Sequence, residues 1–116
     1  MHSDPDFQPL CHVQHNIELA RSFVSGHSYE TFQKDHRTIY AVVRCLEIIS
    51  EATRRLSADL KARHPTLRWS AMAGAGNVYR HDYEEVADRL VWETVQHRLE
   101  PLAQVVRVEL ERLNKP

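Results

Sequence analysis

Residues 35–64 read DHRTIYAVVRCLEIISEATRRLSADLKARH and carry the strongest helical pattern in the chain. Asp35 is a residue type that caps helix N-termini, and Pro65 cannot continue a helix. The β-branched cluster could suggest a strand, but its period is helical and charged residues occupy the opposite face. The stretch therefore predicts one central bundle helix of roughly 25 residues that ends before His64. Its apolar side chains recur at three- and four-residue intervals, at Ile39, Val42, Val43, Leu46, Ile49, Leu56 and Leu60.

Toward the N-terminus, a second apolar stripe predicts a first helix. Gly26 suits the end of this helix because glycine readily adopts the left-handed conformation found there. Ser28 is placed to cap a short helical turn that carries Tyr29 and Phe32. Residues 1–8 are predicted to form a loose arm, and residues 9–116 a single domain. The stripe comprises Leu10, Val13, Ile17, Ala20 and Val24.

Three segments follow the central helix. The first, residues 70–83, contains Gly74 and Gly76 in an otherwise helical stretch. The second has apolar residues from Ala87 to Val95, and the last begins near Pro101, which favours the first turn of a helix. The sequence has neither the alternation nor the hairpin turns that a sheet needs. It predicts an all-α fold, an antiparallel up-and-down bundle of about five helices.

Charge and cysteine content narrow the function classes. The chain has 116 residues and a net charge of −1 when its 8 histidines are neutral. It therefore has no overall positive charge to attract a polyanion, and any contact with nucleic acid must be local. Cys11 and Cys45 are too few for a disulfide framework and are expected to be reduced thiols. The N-terminal residues lack the basic segment and apolar run of a signal peptide. The sequence also has no run of 18 apolar residues. We expect a cytoplasmic protein without membrane contact.

Two patterns that could bind ligands are weak. Cys11, His12 and His15 have a helical spacing that suits a metal, but no further ligands are evident, so a surface cluster without metal is expected. A phosphate-binding glycine loop at Gly74 and Gly76 is disfavoured because no strand precedes it and the glycine spacing differs.

Five stretches carry a resemblance to a known family. They are IISEA at residues 48–52, Trp69, GAGN at 74–77, HDY at 81–83 and VWETV at 91–95. This series resembles the HepT-like toxins of the HEPN superfamily, in which a segment like I-I-G-E-A precedes a Trp, then G-M-R-N-x-x-x-H-x-Y and a V-W-x-x-V-like stretch. The likeness covers nearly the whole chain. Three positions depart from it, where Ser50 replaces Gly, Ala75 replaces Met and Gly76 replaces Arg.

The resemblance implies a HEPN-like helical bundle that forms a homodimer, with the motifs of both protomers facing one cleft. It also implies a metal-independent RNA endonuclease without a cofactor, controlled by a nucleotidyltransferase antitoxin that can adenylate the motif tyrosine. By position, His81 corresponds to the catalytic histidine and Tyr83 to the modified tyrosine. Asn77 and Arg80 are the residues expected to bind substrate.

RNA cleavage without a metal requires a proton acceptor for the 2′-hydroxyl and a donor for the leaving oxygen, and a histidine can serve in either role. A forked guanidinium suits the charge that develops on the phosphate. Gly76 removes that cation, and such a loss typically lowers the rate about 100- to 1000-fold. Arg80, Arg68 or Arg44 could substitute, although none is favoured by spacing, and Arg80 points about 100° away from His81 on a helix.

Three hypotheses remain. The first, which we favour, is a HepT-like toxin subunit whose nuclease activity is weakened or lost and which still binds RNA or a nucleotide. The second is an active enzyme with a displaced arginine, such as Arg80 or Arg44. The third is a non-enzymatic helical interaction module, in which His81 is an ordinary surface or core histidine and Tyr83 a packing residue.

Overall fold

The computed structural model describes residues 3–74 and 84–115. Within these two ranges the regular elements are helices and no strand occurs, which confirms the predicted all-α class. None of the described helices is both long and apolar enough to cross a bilayer. The elements are α1 (Phe7–Val24), α2 (Tyr29–Lys34), α3 (His36–Arg54), α4 (Ala58–Ala62), α5 (Trp69–Gly74), α6 (Glu84–Glu93), a π-helical turn (Thr94–Arg98) and α7 (Leu99–Asn114).

Helix α3 is the centre of the bundle, since it packs against α1, α2, α5 and α6, while α7 packs against α1. The predicted stripe faces inward, and Val42, Leu46 and Ile49 are almost completely buried. Each large aliphatic side chain removed from water in this way contributes about 1.5–3 kcal/mol. The interior facing them includes Leu10, Val13, Ile17, Phe32, Leu99, Leu102 and Val106.

The predicted caps at the start of the bundle are confirmed. Gly26 has a positive φ of 82° just after α1. Ser28 caps α2 in a reciprocal arrangement with Thr31, in which each side chain accepts a hydrogen bond from the other residue's backbone N–H. Asp35 caps α3 by accepting a hydrogen bond from the Thr38 backbone N–H at 3.1 Å.

The prediction of one continuous helix up to His64 is wrong, because the stretch is divided into α3 and α4. The division has a tertiary cause. The Asp6 carboxylate accepts hydrogen bonds from the Ser57 backbone N–H at 2.8 Å and from the Ser57 hydroxyl at 2.6 Å. Ser57 is then the N-cap of α4, with its hydroxyl oxygen accepting from the Leu60 N–H. The expected loose arm is also shorter than predicted, because α1 begins at Phe7 and Asp6 is buried.

A buried carboxylate joins α7 to the segment that precedes α5. Glu109 is 2% exposed, and its two oxygens accept hydrogen bonds from the Arg63 guanidinium at 2.7 and 3.3 Å. The His64 Nε2 lies 2.6 Å from the Oε2 of Glu109. The hydrogen bonds from Arg63 are the main reason that the pKa of Glu109 is lowered. The His64 carbonyl in turn accepts the indole N–H of Trp69 at 3.1 Å, which connects the cluster to the first residue of α5.

We expect Glu109→Gln to lower the free energy of unfolding by about 2 kcal/mol at neutral pH, because it removes charged hydrogen bonds from a buried site. Glu111→Gln, at an exposed position of the same helix, should change it by less than about 0.5 kcal/mol. Urea unfolding measures both.

The effect of Glu109 should depend on pH. Because the folded state lowers the pKa of this carboxyl below its ordinary value of 4.5, its contribution is present above that value and is lost as the pH falls through the folded-state pKa. The difference between wild type and Glu109→Gln should therefore shrink in acid. A difference that stays constant from about pH 7 to about pH 3 contradicts this assignment.

Candidate functional site

The residues predicted to carry the chemistry lie between α5 and α6 in the sequence. Asn77, Arg80, His81 and Tyr83, together with the substituted position Gly76, fall outside the described residues. The structure does describe the helices on either side, α5 ending at Gly74 and α6 beginning at Glu84. The surroundings of these two helices therefore define the candidate site.

The end of α5 is attached to the central helix by Ser50, one of the three departures from the family pattern. Its hydroxyl donates a hydrogen bond to the Met72 carbonyl at 3.3 Å, and both residues are buried. Carbonyls in the last turn of a helix have no partner within that helix, so this bond satisfies a group that is otherwise costly to bury. A glycine at position 50 could not supply it. Ser50 thus fixes the end of the helix that leads into residues 75–83.

Helix α6 is held by aromatic contacts. The ring of Trp92 lies 5.2 Å from the ring of Phe32 and 6.2 Å from that of Tyr29, measured between centroids. The guanidinium of Arg89 lies over the Tyr29 ring at 4.1 Å, a cation–π geometry. Trp69 and Trp92 are both half-buried against the core, so each tryptophan contributes to packing.

A cavity of about 700 Å³ lies between α5 and α6. Its apolar lining includes Leu46 of α3, Met72 of α5 and Val91 of α6, which are also core residues. The polar and charged residues of the lining are Thr66, Arg68, Thr94, His97 and Arg98. Leu67, Ala71, Leu90 and Pro101 complete it.

The charged groups at the cavity are all basic among the described lining residues. Arg68 stands just before α5, and Arg98 is the last residue of the π-helical turn. Other arginines pair with glutamates, as Arg21 does with Glu100 at 2.6 Å. Neither Arg68 nor Arg98 has a carboxylate within 4.0 Å among the side chains of residues 3–72 and 87–115. His97 lies 3.5 Å from Glu93. Two guanidinium groups are thus available to an anion at this cavity.

The π-helical turn brings two of these basic residues to the cavity. Residues 84–114 follow a helical path without a loop, and the turn at Thr94–Arg98 shifts the register of the side chains after it. The Thr94 hydroxyl donates to the Leu90 carbonyl at 2.7 Å, which satisfies a backbone group beside the turn. Neither His97 nor Arg98 could be identified as a site residue from the sequence, because a π-helical turn has no recognisable residue pattern. The only signal was the pair of basic residues just beyond Val95.

The arginines considered as substitutes for Gly76 are in different surroundings. Arg44 is exposed and its guanidinium lies 3.5 Å from Glu47 on the same helix. Glu51, which follows Ser50 on the same helix, is exposed and lies 3.5 Å from Arg54. Among the described residues that line the cavity, Arg68 is present and Arg44 and Glu51 are not.

These features define a small helical bundle with a basic-lined cavity between the two helices that flank a histidine motif. Residues 13–109 match the model of the ribonuclease HepT-like family. The chain belongs to the HepT-like ribonuclease family, which confirms the resemblance seen in the sequence. The match includes residues 75–83 and both flanking helices.

Relatives of similar length support the assignment. The chain is 33% identical over 103 residues to a protein of Caldanaerobacter subterraneus subsp. tengcongensis named as a candidate RNase, covering 89% of this chain and 92% of that protein. It is 35% identical over 99 residues to a protein of Thermococcus cleftensis named as a candidate ribonuclease HepT, covering 85% and 86%. A Methanocaldococcus jannaschii protein named as a candidate RNase is 31% identical over 94 residues, covering 81% and 74%. No solved structure matches the chain.

We expect Ser50→Ala to destabilise the protein by about 1 kcal/mol more than Ser22→Ala, because it leaves the Met72 carbonyl without its donor. The control is matched, since Ser22 also lies in a helix and donates to a backbone carbonyl, that of Leu19, but at an exposed position. Both substitutions gain the same helix propensity, which cancels in the difference. Chemical denaturation measures the two values, and equal stabilities for the two variants would falsify the role given to Ser50.

Proposed function

We propose that this protein is the toxin component of a toxin–antitoxin pair, a HepT-like ribonuclease subunit whose cleavage of RNA is weakened by Gly76. The observation that carries the proposal is membership of the HepT-like ribonuclease family over residues 13–109, combined with a glycine where the family motif has arginine. The chain keeps the histidine of the motif and lacks its cation. We therefore expect RNA cleavage that is slower than that of a site with both the histidine and the arginine.

In the proposed reaction His81 moves protons. The 2′-hydroxyl attacks the adjacent phosphorus, and the bond to the 5′-oxygen breaks, which leaves a cyclic phosphate and a free 5′-hydroxyl. A histidine can accept the first proton or deliver the second, and no metal is required. Asn77 and Arg80 bind the substrate in this scheme. Arg80 adjoins His81 in sequence and does not replace the arginine that the motif has five positions before the histidine.

The assembly and control of the protein follow the same proposal. We expect a cytoplasmic homodimer without a cofactor or membrane contact, in which both copies of the motif face a shared cleft. The partner is a nucleotidyltransferase antitoxin that transfers adenylate to Tyr83. Adenylation adds bulk and negative charge two residues from His81, and added negative charge opposes binding of a phosphate backbone.

The first experiment is a gel assay of RNA cleavage in EDTA with wild type, Gly76→Arg, His81→Ala and the double variant. We expect Gly76→Arg to cleave about 100- to 1000-fold faster than wild type, because it restores a guanidinium at the developing charge. His81→Ala should remove the gained activity. Circular dichroism of each variant controls for folding.

Two results contradict the proposal. If wild type already cleaves as fast as Gly76→Arg and His81→Ala does not cleave, then another arginine supplies the charge, and Arg44→Ala, Arg68→Ala and Arg80→Ala identify it. If all four proteins are inactive on total tRNA and mRNA, then a helical interaction module is the better description of the chain.

Adenylation is tested separately. Incubation with a nucleotidyltransferase of the antitoxin class and ATP should raise the intact mass by one or more adenylate groups, and Tyr83→Phe should prevent the increase. Tyr40→Phe is the matched control, because Tyr40 is 63% exposed and lies on α3. Equal adenylation of the Tyr83→Phe variant rules out Tyr83 as the acceptor.

A further inference from the structure

We propose that the cavity between α5 and α6 is a nucleotide subsite, which binds one unpaired base of single-stranded RNA and the phosphate next to it. The base lies on the apolar lining, and the phosphate is held by Arg68 and Arg98. The inference rests on the proposed function, since it assigns a substrate-binding site to the same protein. It uses only residues outside the motif and can be tested without cleavage.

The size and chemistry of the cavity suit a nucleobase. Its volume of about 700 Å³ is within the range of about 300–1,000 Å³ found for small-molecule sites. Leu46, Met72 and Val91 are buried and form the apolar floor of the cavity. The apolar groups that a base can reach belong to the partly or fully exposed lining residues, Leu67, Ala71, Leu90 and Pro101. The Thr94 hydroxyl already donates to the Leu90 carbonyl, so its oxygen is oriented to accept a hydrogen bond from a base amino group. An apolar surface with few polar groups is typical of a ligand site.

The charges at the cavity suit a phosphate. Arg68 and Arg98 have no carboxylate partner among the described residues, and a guanidinium can hold two phosphate oxygens at once. The chain as a whole has a net charge of −1, so a polyanion is attracted only where basic groups are locally unopposed. The cavity provides such a place next to the helices that flank the motif.

The same charges disfavour a second copy of the chain as the occupant. A two-fold interface places the same patch on both subunits, so one centred on this cavity would bring the basic patch of Arg68 and Arg98 close to the same patch of the second copy. Burying like charges without partners is costly. A single RNA strand, in contrast, supplies both the apolar base and the negative charge, and its bases are free to leave a stack.

The test is binding of a fluorescently labelled single-stranded RNA, followed by anisotropy in EDTA over a range of salt concentrations. All proteins carry His81→Ala so that cleavage does not interfere. We expect Arg68→Ala and Arg98→Ala each to weaken binding. Because both hold the same phosphate, the double variant should reduce the slope of log affinity against log salt by about 0.7, the value for one phosphate contact on a single strand. Arg107→Ala is the matched control. Arg107 is an exposed arginine on α7 with no ion pair among the described residues and does not line the cavity, so its slope should stay that of the parent protein.

A second variant tests the cavity without removing charge. Ala71 lines the cavity but is exposed, so Ala71→Phe fills the space with little effect on the core. We expect it to weaken binding of single-stranded RNA about tenfold or more, which corresponds to about 1.4 kcal/mol. Size-exclusion chromatography with light scattering should show an unchanged oligomeric state.

The inference is overturned if Arg68→Ala and Arg98→Ala keep the affinity of the parent protein and the double variant keeps its salt slope. It is also overturned if Ala71→Phe leaves RNA affinity unchanged and alters the oligomeric state, because the cavity is then covered by a second copy. These failures are distinct from failure of the proposed function. If Gly76→Arg cleaves RNA but Arg68→Ala and Arg98→Ala bind RNA normally, the nuclease function stands and the subsite is rejected. If Gly76→Arg is inactive but removal of the two arginines lowers the salt slope, the subsite stands and the nuclease function is rejected.

Discussion

Burial of the apolar face of α3 is the constraint on which the rest of the structure depends. This helix contacts α1, α2, α5 and α6, so its side chains serve both the core and the candidate site. Leu46 is part of the core and also lines the cavity, and Ser50, one turn further on, holds the end of α5. A change in the packing of α3 therefore moves the cavity as well. Part of the cavity wall is therefore also part of the core.

Helix α5 depends on contacts made at both of its ends. With six residues, Trp69–Gly74, it is too short to be stable alone, since isolated helices below about 12 residues are marginal in water. At its start, Trp69 donates to the His64 carbonyl, within the cluster organised by buried Glu109. At its end, the Ser50 hydroxyl donates a hydrogen bond to the Met72 carbonyl. The direction in which the chain enters residues 75–83 is therefore set by tertiary hydrogen bonds rather than by helix propensity.

Local signals in the sequence predicted the local structure, and contacts between distant residues account for the errors. The period of α3 and the caps at Ser28 and Asp35 depend on neighbouring residues, which is why they could be predicted. The break at Ser57 depends on Asp6, 51 residues away, and no periodicity reports such a contact. Likewise the motif resemblance indicated the family and its histidine, but the cavity that includes Arg98 depends on a π-helical turn that has no sequence signature.

The motif arginine, which Gly76 replaces, and the cavity arginines Arg68 and Arg98 would affect catalysis differently. Groups that bind the substrate and the transition state equally strengthen binding without accelerating the chemical step. If Arg68 and Arg98 hold an RNA phosphate as proposed, they bind the substrate and the transition state equally. An arginine at position 76 would instead act on charge that appears only in the transition state. Under the proposed function, loss of the arginine at position 76 with retention of Arg68 and Arg98 would give a protein that binds RNA but cleaves it slowly. Such a protein would act on RNA mainly by occupying it, and the glycine at position 76 would then be a change of role rather than a simple loss of function.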